Sequence, residues 1–308
     1  MRIAVVGAGA MGSIFGARFT QAGHETVLVD VAAPVVEAID AGGVTIVRGE
    51  EETTTQVPAT TDPASIGGPV DVVVFCVKCY HTESAAELAR PLVGADTVVA
   101  SLQNGWGNGD VLAGVYPAEQ IVVGVTYNSG LLQAPGRVVH PAEQPTIVGS
   151  FTDGPTDGAE RLAQALSDAG LEASVASPVR PEIWKKLILN AATLPAAALT
   201  GMNAGALTAC EETNALVTDV AEEAVTVAQA LGYEIDAGER VAAIHALLEK
   251  AGPSKASMLQ DFEAGRRTEI DVINGAVVKA ADETGVAAPL NRALVRLVKG
   301  WETMRGLL

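Results

Sequence analysis

Near the start of the chain, Gly7-Ala-Gly9-Ala10-Met11-Gly12 sets a GxGxxG spacing between the apolar run Ile3 to Val6 and a helical pattern. In that setting the first glycine permits a tight turn, the second lets the backbone approach a pyrophosphate, and the third lets helix pack on strand. The helix N-terminus then presents unpaired N–H groups to the phosphates. Dinucleotide binding is therefore predicted, with Gly7, Gly9, Ala10, Met11 and Gly12 forming the phosphate loop. Asp30 ends a second strand pattern, Glu25 to Val29, where a carboxylate can accept hydrogen bonds from the adenosine ribose. The same charge opposes a 2′-phosphate, by up to about 4 kcal/mol at 4 Å with an effective dielectric of about 20, before screening. No Arg or Lys follows within Val31-Ala-Ala-Pro-Val35, so NAD is expected in preference to NADP.

Other polar residues sit where strand patterns end. Lys78 follows the β-branched run Val70 to Val77, and Asn104 lies in Ser101-Leu-Gln103-Asn104-Gly105-Trp-Gly107. Ligands of open α/β sheets bind beyond the carboxyl ends of strands, which places Lys78 and Asn104 to meet cofactor or substrate. In the second half, Lys186 and Asn190 stand four residues apart and share one face of an otherwise apolar helix. Ser257-Met-Leu-Gln-Asp261 leads through Gly265-Arg-Arg-Thr268 to Glu269-Ile-Asp271, a cluster that by itself reads equally as a functional set and as a solvated cap and helix start, since Thr268 and Asp271 suit an N-terminus. Cys76-Val-Lys-Cys79 has CxxC spacing without a second pair, and is expected to be a set of strand-end or buried cysteines. His24, His81, His140 and His245 form no HxxxH or HxH pair and are expected to be ordinary surface or loop residues, so no metal site is predicted.

The elements that must position these residues follow from periodicity. Strands are predicted at Ile3 to Val6, Glu25 to Val29, Val44 to Val47, Thr53 to Val57, Val70 to Val77, Thr97 to Ser101, Ile121 to Tyr127, Val138 to His140, Thr146 to Val148 and Ala173 to Ala176. Helices are predicted between them at Met11 to Ala22, Ala33 to Asp40, Thr82 to Leu92 and Asp157 to Ala169. Strands separated by helical crossovers give an α/β fold with a Rossmann-type doubly wound parallel sheet, residues 1–176. From 177 to 308 the periods are all helical, at Glu182 to Leu199, Glu211 to Leu231, Ala237 to Lys250, Ser257 to Gly265, Asp271 to Thr284 and Pro289 to Thr303. An all-helical C-terminal domain is expected there, and its richness in Ala and aliphatic residues suits a homodimer through it.

Composition narrows the classes further. A chain of 308 residues with 48% hydrophobic and 4% aromatic residues has small aliphatic cores, large enough for two domains. Its formal charge of −17 opposes nucleic acid and anionic membrane surfaces as partners. Three cysteines and no secretory h-region at the N-terminus lead to the expectation of a cytoplasmic protein.

Taken together, GAGAMG, the Lys78 turn, Gln103-Asn104-Gly105, Arg180-Pro-Glu-Ile-Trp-Lys-Lys-Leu with Asn190, and Ser257-Met-Leu-Gln-Asp with Thr268-Glu269-Ile-Asp271 resemble the ketopantoate reductase (2-dehydropantoate 2-reductase) family. The resemblance runs through essentially the whole chain in order. It implies a Rossmann N-domain, a helical C-domain, an active site in the cleft between them and reduction of a 2-oxo acid by NADPH. It places the catalytic lysine at Lys186 and a glutamate at Glu269. It makes Asn104, Asn190 and Ser257 groups that orient substrate and cofactor, and puts Lys78 near the nicotinamide end. As hydride reaches a ketone carbon, an ammonium can hydrogen-bond to the developing oxyanion and then donate a proton. A lysine with the model value of about 10.4 stays protonated at neutral pH, which suits reduction and leaves oxidation to alkaline pH unless burial lowers it.

Two positions depart from the family's pattern. Leu194 stands before Pro195 where the family commonly has a second asparagine, and Asp30-Val31 replaces the arginine that follows the second strand. A pocket lacking a partner for a substrate hydroxyl discriminates poorly for it. The substrate is thus expected to be a small 2-oxo or 2-hydroxy acid, 2-dehydropantoate or a related molecule. Two alternatives are a 3-hydroxyacid dehydrogenase of the hydroxyisobutyrate type and a catalytically silent NAD-binding sensor. Val125-Thr-Tyr-Asn-Ser-Gly130 in place of a Pro-Val-Ser-Gly-Gly loop argues against the first, and the intact Lys186, Asn190 and Glu269 set against the second.

Overall fold

The computed structural model describes residues 1–141 and 143–308. The chain divides into two compact units, Met1–Gln103 with Asn108–Glu182 and Asn104–Gly107 with Ile183–Leu308.

The first unit opens with β1 (Arg2–Val6), α1 (Ala10–Gln21), β2 (Glu25–Val29) and α2 (Ala33–Gly42). A hairpin of β3 (Val44–Arg48) and β4 (Glu51–Thr55), then a short β5 (Ala59–Thr60), lead to β6 (Val72–Phe75) and α3 (Thr82–Leu88). It continues through β7 (Val98–Ser101), α4 (Asn108–Ala113), β8 (Ile121–Thr126), β9 (Leu131–Ala134) and β10 (Arg137–Val139). β11 (Thr146–Ser150), α5 (Asp157–Asp168) and β12 (Ala173–Val175) complete it. Eight strands form one sheet in the order β12-β11-β8-β7-β6-β1-β2-β5. From β8 to β5 the neighbours are parallel. β1 lies between β6 and β2, the point where crossovers reverse direction and where such sheets bind ligands. All four residues of β6 are buried, as expected of a β-branched strand covered on both faces. Ile14, Phe15 and Phe19 of α1 and Leu162 and Leu166 of α5 pack into the same core as Ile3, Val5, Val72 and Val74.

The doubly wound sheet predicted from the sequence is present, with additions that periodicity alone does not reveal. β3 and β10 pair in a separate four-stranded sheet, β4-β3-β10-β9, and β11 runs antiparallel to β8. The strand predicted at Thr53 to Val57 begins instead at Glu51, because the turn at Gly49-Glu50 pairs Arg48 with Glu51. The helix predicted over Thr82 to Leu92 stops at Leu88, and a 3₁₀ turn follows at Arg90–Leu92, where Pro91 has no N–H to continue the ladder. His140 corrects the expectation of ordinary surface or loop histidines. It is fully buried, with Nε2 3.0 Å from Asn128 Oδ1, and Asn128 in turn donates to Thr126 Oγ1 at 3.0 Å.

The second unit contains most of α6 (Arg180–Thr200), with α7 (Ala204–Ala209), α8 (Glu211–Ala230), α9 (Ala237–Ala251), α10 (Ser257–Glu263), α11 (Asn274–Thr284) and α12 (Pro289–Met304). Trp184, Leu187 and Ile188 of α6 pack with Val217 and Val220 of α8, Ile244 of α9, Val277 of α11 and Val298 of α12. α7 was not expected: six residues show little periodicity, and its start is marked only by Asn203, whose side chain accepts from Ala206 N at 2.9 Å. α11 begins at Asn274 rather than Asp271, after a 3₁₀ turn at Ile270–Val272. Pro195 lies inside α6 and cannot donate to the carbonyl of Ala191 four residues earlier. Asn274 Nδ2 donates to that carbonyl instead, at 2.9 Å, so α6 runs unbroken past Lys186, Asn190 and Leu194. Among the described residues no helix is long and apolar enough to cross a membrane.

Candidate active site

In the first unit the glycine loop separates into packed and open positions. Gly7 has φ +102°, and a Cβ there would lie 2.8 Å from Val77 N. A Cβ on Gly12 would lie 1.8 Å from Gly7 O, so the first turn of α1 seats directly on the loop. At Gly9 an added Cβ meets nothing within 4 Å. The loop is thus closed where strand and helix pack and open where a pyrophosphate needs the backbone, which fits a dinucleotide. Ala10 and Met11 form the first helical residues beside that opening, and no side chain caps Gly9, the N-cap residue of α1. The carboxylate of Asp30 accepts from Ala8 N at 2.8 Å and from Ala32 N at 2.9 Å. It therefore braces the glycine loop.

Lys78 follows β6, half-buried, and opens a 3₁₀ turn at Cys79–His81. Gln103 fastens this turn. Its Nε2 donates to Val77 O at 2.8 Å and to Thr82 Oγ1 at 2.9 Å, while Ser101 Oγ donates to its Oε1 at 2.9 Å. Burial pushes the Cys76 thiol up to about 12, which keeps it protonated and unreactive. Among the described residues no group of three or more His, Cys, Asp or Glu side chains could hold a metal ion.

In the second unit the structure brings Lys186, Asn104 and Glu269 together. Lys186 Nζ donates to Asn104 Oδ1 at 2.8 Å. Burial pushes the ammonium down to about 8, and the negative charge of Glu269 partly offsets that fall. Asn104 belongs to the four-residue segment Asn104–Gly107, anchored by Trp106 N donating to Val272 O at 2.8 Å. Gly105 has φ +87°, and a Cβ there would lie 2.5 Å from Val272 O, so glycine alone fits this approach. Trp106 also packs on Trp184 with ring centroids 5.7 Å apart. Asn190 is buried one helical turn beyond Lys186, and Leu194 is buried another turn along, in the apolar core. Ser257 opens α10, partly buried. Only part of the cluster is solvated: Asp271 is exposed, whereas Thr268 is 1% exposed and Glu269 7% exposed.

Residues 3–153 match the family described as Ketopantoate reductase PanE/ApbA, and residues 178–302 match its C-terminal counterpart, Ketopantoate reductase PanE/ApbA C terminal. The chain belongs to the ketopantoate reductase family. It is 35% identical to the 2-dehydropantoate 2-reductase of Archaeoglobus fulgidus, covering 98% of each chain. It is 32% identical to that of Halobacterium salinarum, covering 97% of this chain and 98% of the other. Among solved structures, D-mandelate dehydrogenase in a ternary structure with NADH and anilino(oxo)acetate superposes with a TM-score of 0.95 at 29% identity, over all of both chains. The 2-dehydropantoate 2-reductase of Geobacter metallireducens GS-15 gives 0.92 at 30% identity, covering 97% of this chain and 99% of that one. This chain is accordingly an oxidoreductase of the ketopantoate reductase type.

Sequence reasoning on this ketopantoate reductase family member missed a residue that holds the Lys78 turn and a fully buried acid in the helical unit. Gln103 stood inside a quoted motif, yet its task of holding the Lys78 turn depends on Val77 and Thr82, more than twenty residues away. Glu302 carried no visible signal at all: it is a glutamate near the C-terminus, followed by Thr303-Met304-Arg305, and it is fully buried.

Proposed function

We propose that this ketopantoate reductase-type enzyme transfers a hydride between NAD(H), in preference to NADP(H), and a small 2-oxo or 2-hydroxy acid, with Lys186 moving the proton. The carrying observation is the Lys186 ammonium, depressed to about 8 beside Glu269 and hydrogen-bonded to Asn104.

The glycine loop of Gly7, Gly9, Ala10, Met11 and Gly12 would hold the pyrophosphate and Asp30 the adenosine ribose, with Lys78 and Asn104 as the residues that would serve the nicotinamide end. When bound there, nicotinamide supplies or takes up the hydride. In the reductive direction Lys186 donates a hydrogen bond to the carbonyl oxygen as negative charge develops on it, then gives up its proton from Nζ. In the oxidative direction neutral Lys186 accepts the hydroxyl proton. A value near 8 leaves each form accessible close to neutral pH. Glu269 favours the charged ammonium and accepts a hydrogen bond from a substrate hydroxyl. Asn190 and Ser257 bind the substrate carboxylate or the reacting oxygen. Asn190 supports this reading as a buried amide one helical turn from Lys186.

Leu194 and Asp30 shape the choice of partners. An apolar group two turns from Lys186 favours a 2-oxo acid with an apolar substituent over one with a hydroxyl, in line with the anilino(oxo)acetate carried by the D-mandelate dehydrogenase neighbour. The test is steady-state kcat/KM for 2-dehydropantoate, 2-oxoisovalerate and phenylglyoxylate with NADH and with NADPH. Turnover of at least one with NADH is expected. Absence of turnover across the panel, with NADH still bound tightly, overturns the reading in favour of a cofactor sensor.

A further inference from the structure

Glu302 is a fully buried carboxylate in the last turn of α12, a costly placement unless its oxygens are satisfied. Its Oε1 accepts from Thr268 N at 2.8 Å and from Thr268 Oγ1 at 2.7 Å. Its Oε2 makes no hydrogen bond to a described residue and is offset only by the charge of Lys299, whose Nζ lies 3.5 Å away, one turn earlier on the same helix. Lys299 Nζ also donates to Asp271 Oδ2 at 2.9 Å, where Arg267 adds a second contact at 3.3 Å. One turn of α12 therefore holds Thr268 on one side of Glu269 and Asp271 on the other. The segment between closes on itself: Thr268 Oγ1 accepts from Ile270 N at 3.3 Å and Glu269 O from Val272 N at 3.2 Å. Its end is tied to the Asn104 segment through Val272 O and Trp106 N, and thence to Lys186.

We infer that Glu302, seconded by Lys299, is a positioning residue for the reaction, fixing the turn that aims Glu269 at Lys186. The inference rests on the proposed role of Lys186 and Glu269. A leucine could fill the same volume without burying a charge, so packing does not account for a carboxylate here. Its two hydrogen bonds to Thr268 do, because they set the residue from which the Glu269 backbone departs. If the turn loosens, Glu269 no longer supports the Lys186 ammonium, and the proton donor is lost at lower pH.

The experiment compares Glu302→Leu, Glu302→Gln and Glu269→Gln in the full-length enzyme, using the best 2-oxo acid and NADH. The readouts are kcat, KM, the pH at which reductive kcat/KM falls, NADH affinity by fluorescence titration and Tm. Glu302→Leu is expected to lose roughly tenfold or more in kcat/KM, as for a reacting group misplaced by a fraction of an ångström. Its alkaline limb should move to lower pH, as in Glu269→Gln, with NADH affinity within about twofold of wild type. Glu302→Gln keeps an oxygen that can accept from Thr268 and should recover most of the rate. Should Glu302→Leu fail to fold, Thr268→Val against Thr268→Ser decides, with the limb displaced only in Val. An unmoved limb and rate in Glu302→Leu, or in Thr268→Val, while Glu269→Gln is impaired, overturns the inference alone. A normal Glu269→Gln overturns it together with the role of Glu269.

Discussion

The Lys186 ammonium donates to the amide oxygen of Asn104 at 2.8 Å, across 82 positions of sequence. The neutral amide orients the amine without fixing its charge, so that charge is left to burial and to Glu269. Burial is the larger influence and lowers the ammonium to about 8, well below the value expected for a lysine in water.

The sign of the pH dependence follows. Below about pH 8 Lys186 is protonated and, in the role proposed for it, supplies the acid for reduction; above it that acid would be lost and oxidation would gain a base. Reductive kcat/KM is expected to be level below pH 8 and to fall about tenfold per unit above, while oxidative kcat/KM rises and levels off beyond the same point. Lys186→Ala should lower kcat by roughly 10²-fold or more and abolish both limbs. Rate profiles in the two directions check this, and a limb near pH 10 would show that burial does not act as argued.

The glycine loop separates folding from binding. Gly9→Ala meets open space and should keep the wild-type Tm, yet raise KM for NADH strongly, because the methyl occupies the room a pyrophosphate needs. Gly12→Ala drives a Cβ into Gly7 O and should lower Tm as well. Thermal melts beside NADH titrations distinguish the two.

Asp30 acts through charge and through two backbone hydrogen bonds. Wild type is expected to prefer NADH to NADPH. Asp30→Asn keeps one acceptor oxygen, removes the repulsion of a 2′-phosphate, and should narrow the preference about tenfold or more. Asp30→Ala should cost about 1 to 3 kcal/mol of stability, more than Asp30→Asn, since Ala8 N and Ala32 N both lose their acceptor whereas asparagine keeps one. Paired kcat/KM values and denaturant midpoints read the two effects apart.

Leu194→Asn tests substrate choice. The variant should raise kcat/KM for hydroxylated 2-oxo acids relative to apolar ones by about tenfold or more, at some cost in Tm because the position lies in the apolar core. An unchanged ratio would remove Leu194 from the pocket.

The parts of this chain legible in the sequence are those whose information is local. GAGAMG after Ile3 to Val6 identified the loop and its helix, and an apolar helix carrying Lys186 and Asn190 identified α6. What could not be read depends on pairing at a distance. β3 and β10 join residues about ninety positions apart, with Thr45 opposite Arg137, and nothing in either short segment distinguishes a second sheet from the main one. His140 resembled a loop residue because its burial is conferred by Asn128, itself held by Thr126. The depression of Lys186 depends on burial, which only the packed unit supplies.

The four-residue segment Asn104–Gly107 belongs to the helical unit, while its flanking residues Gln103 and Asn108 belong to the sheet unit. Inheritance of catalytic parts is therefore not modular along the chain. A chimera joined at residue 183 would import Lys186 and Glu269 from one parent and Asn104, which accepts the hydrogen bond of Lys186, with Trp106, from the other. Recombination between relatives should succeed only where this short insert travels with the helices, a restriction that a family tree drawn from either half would conceal.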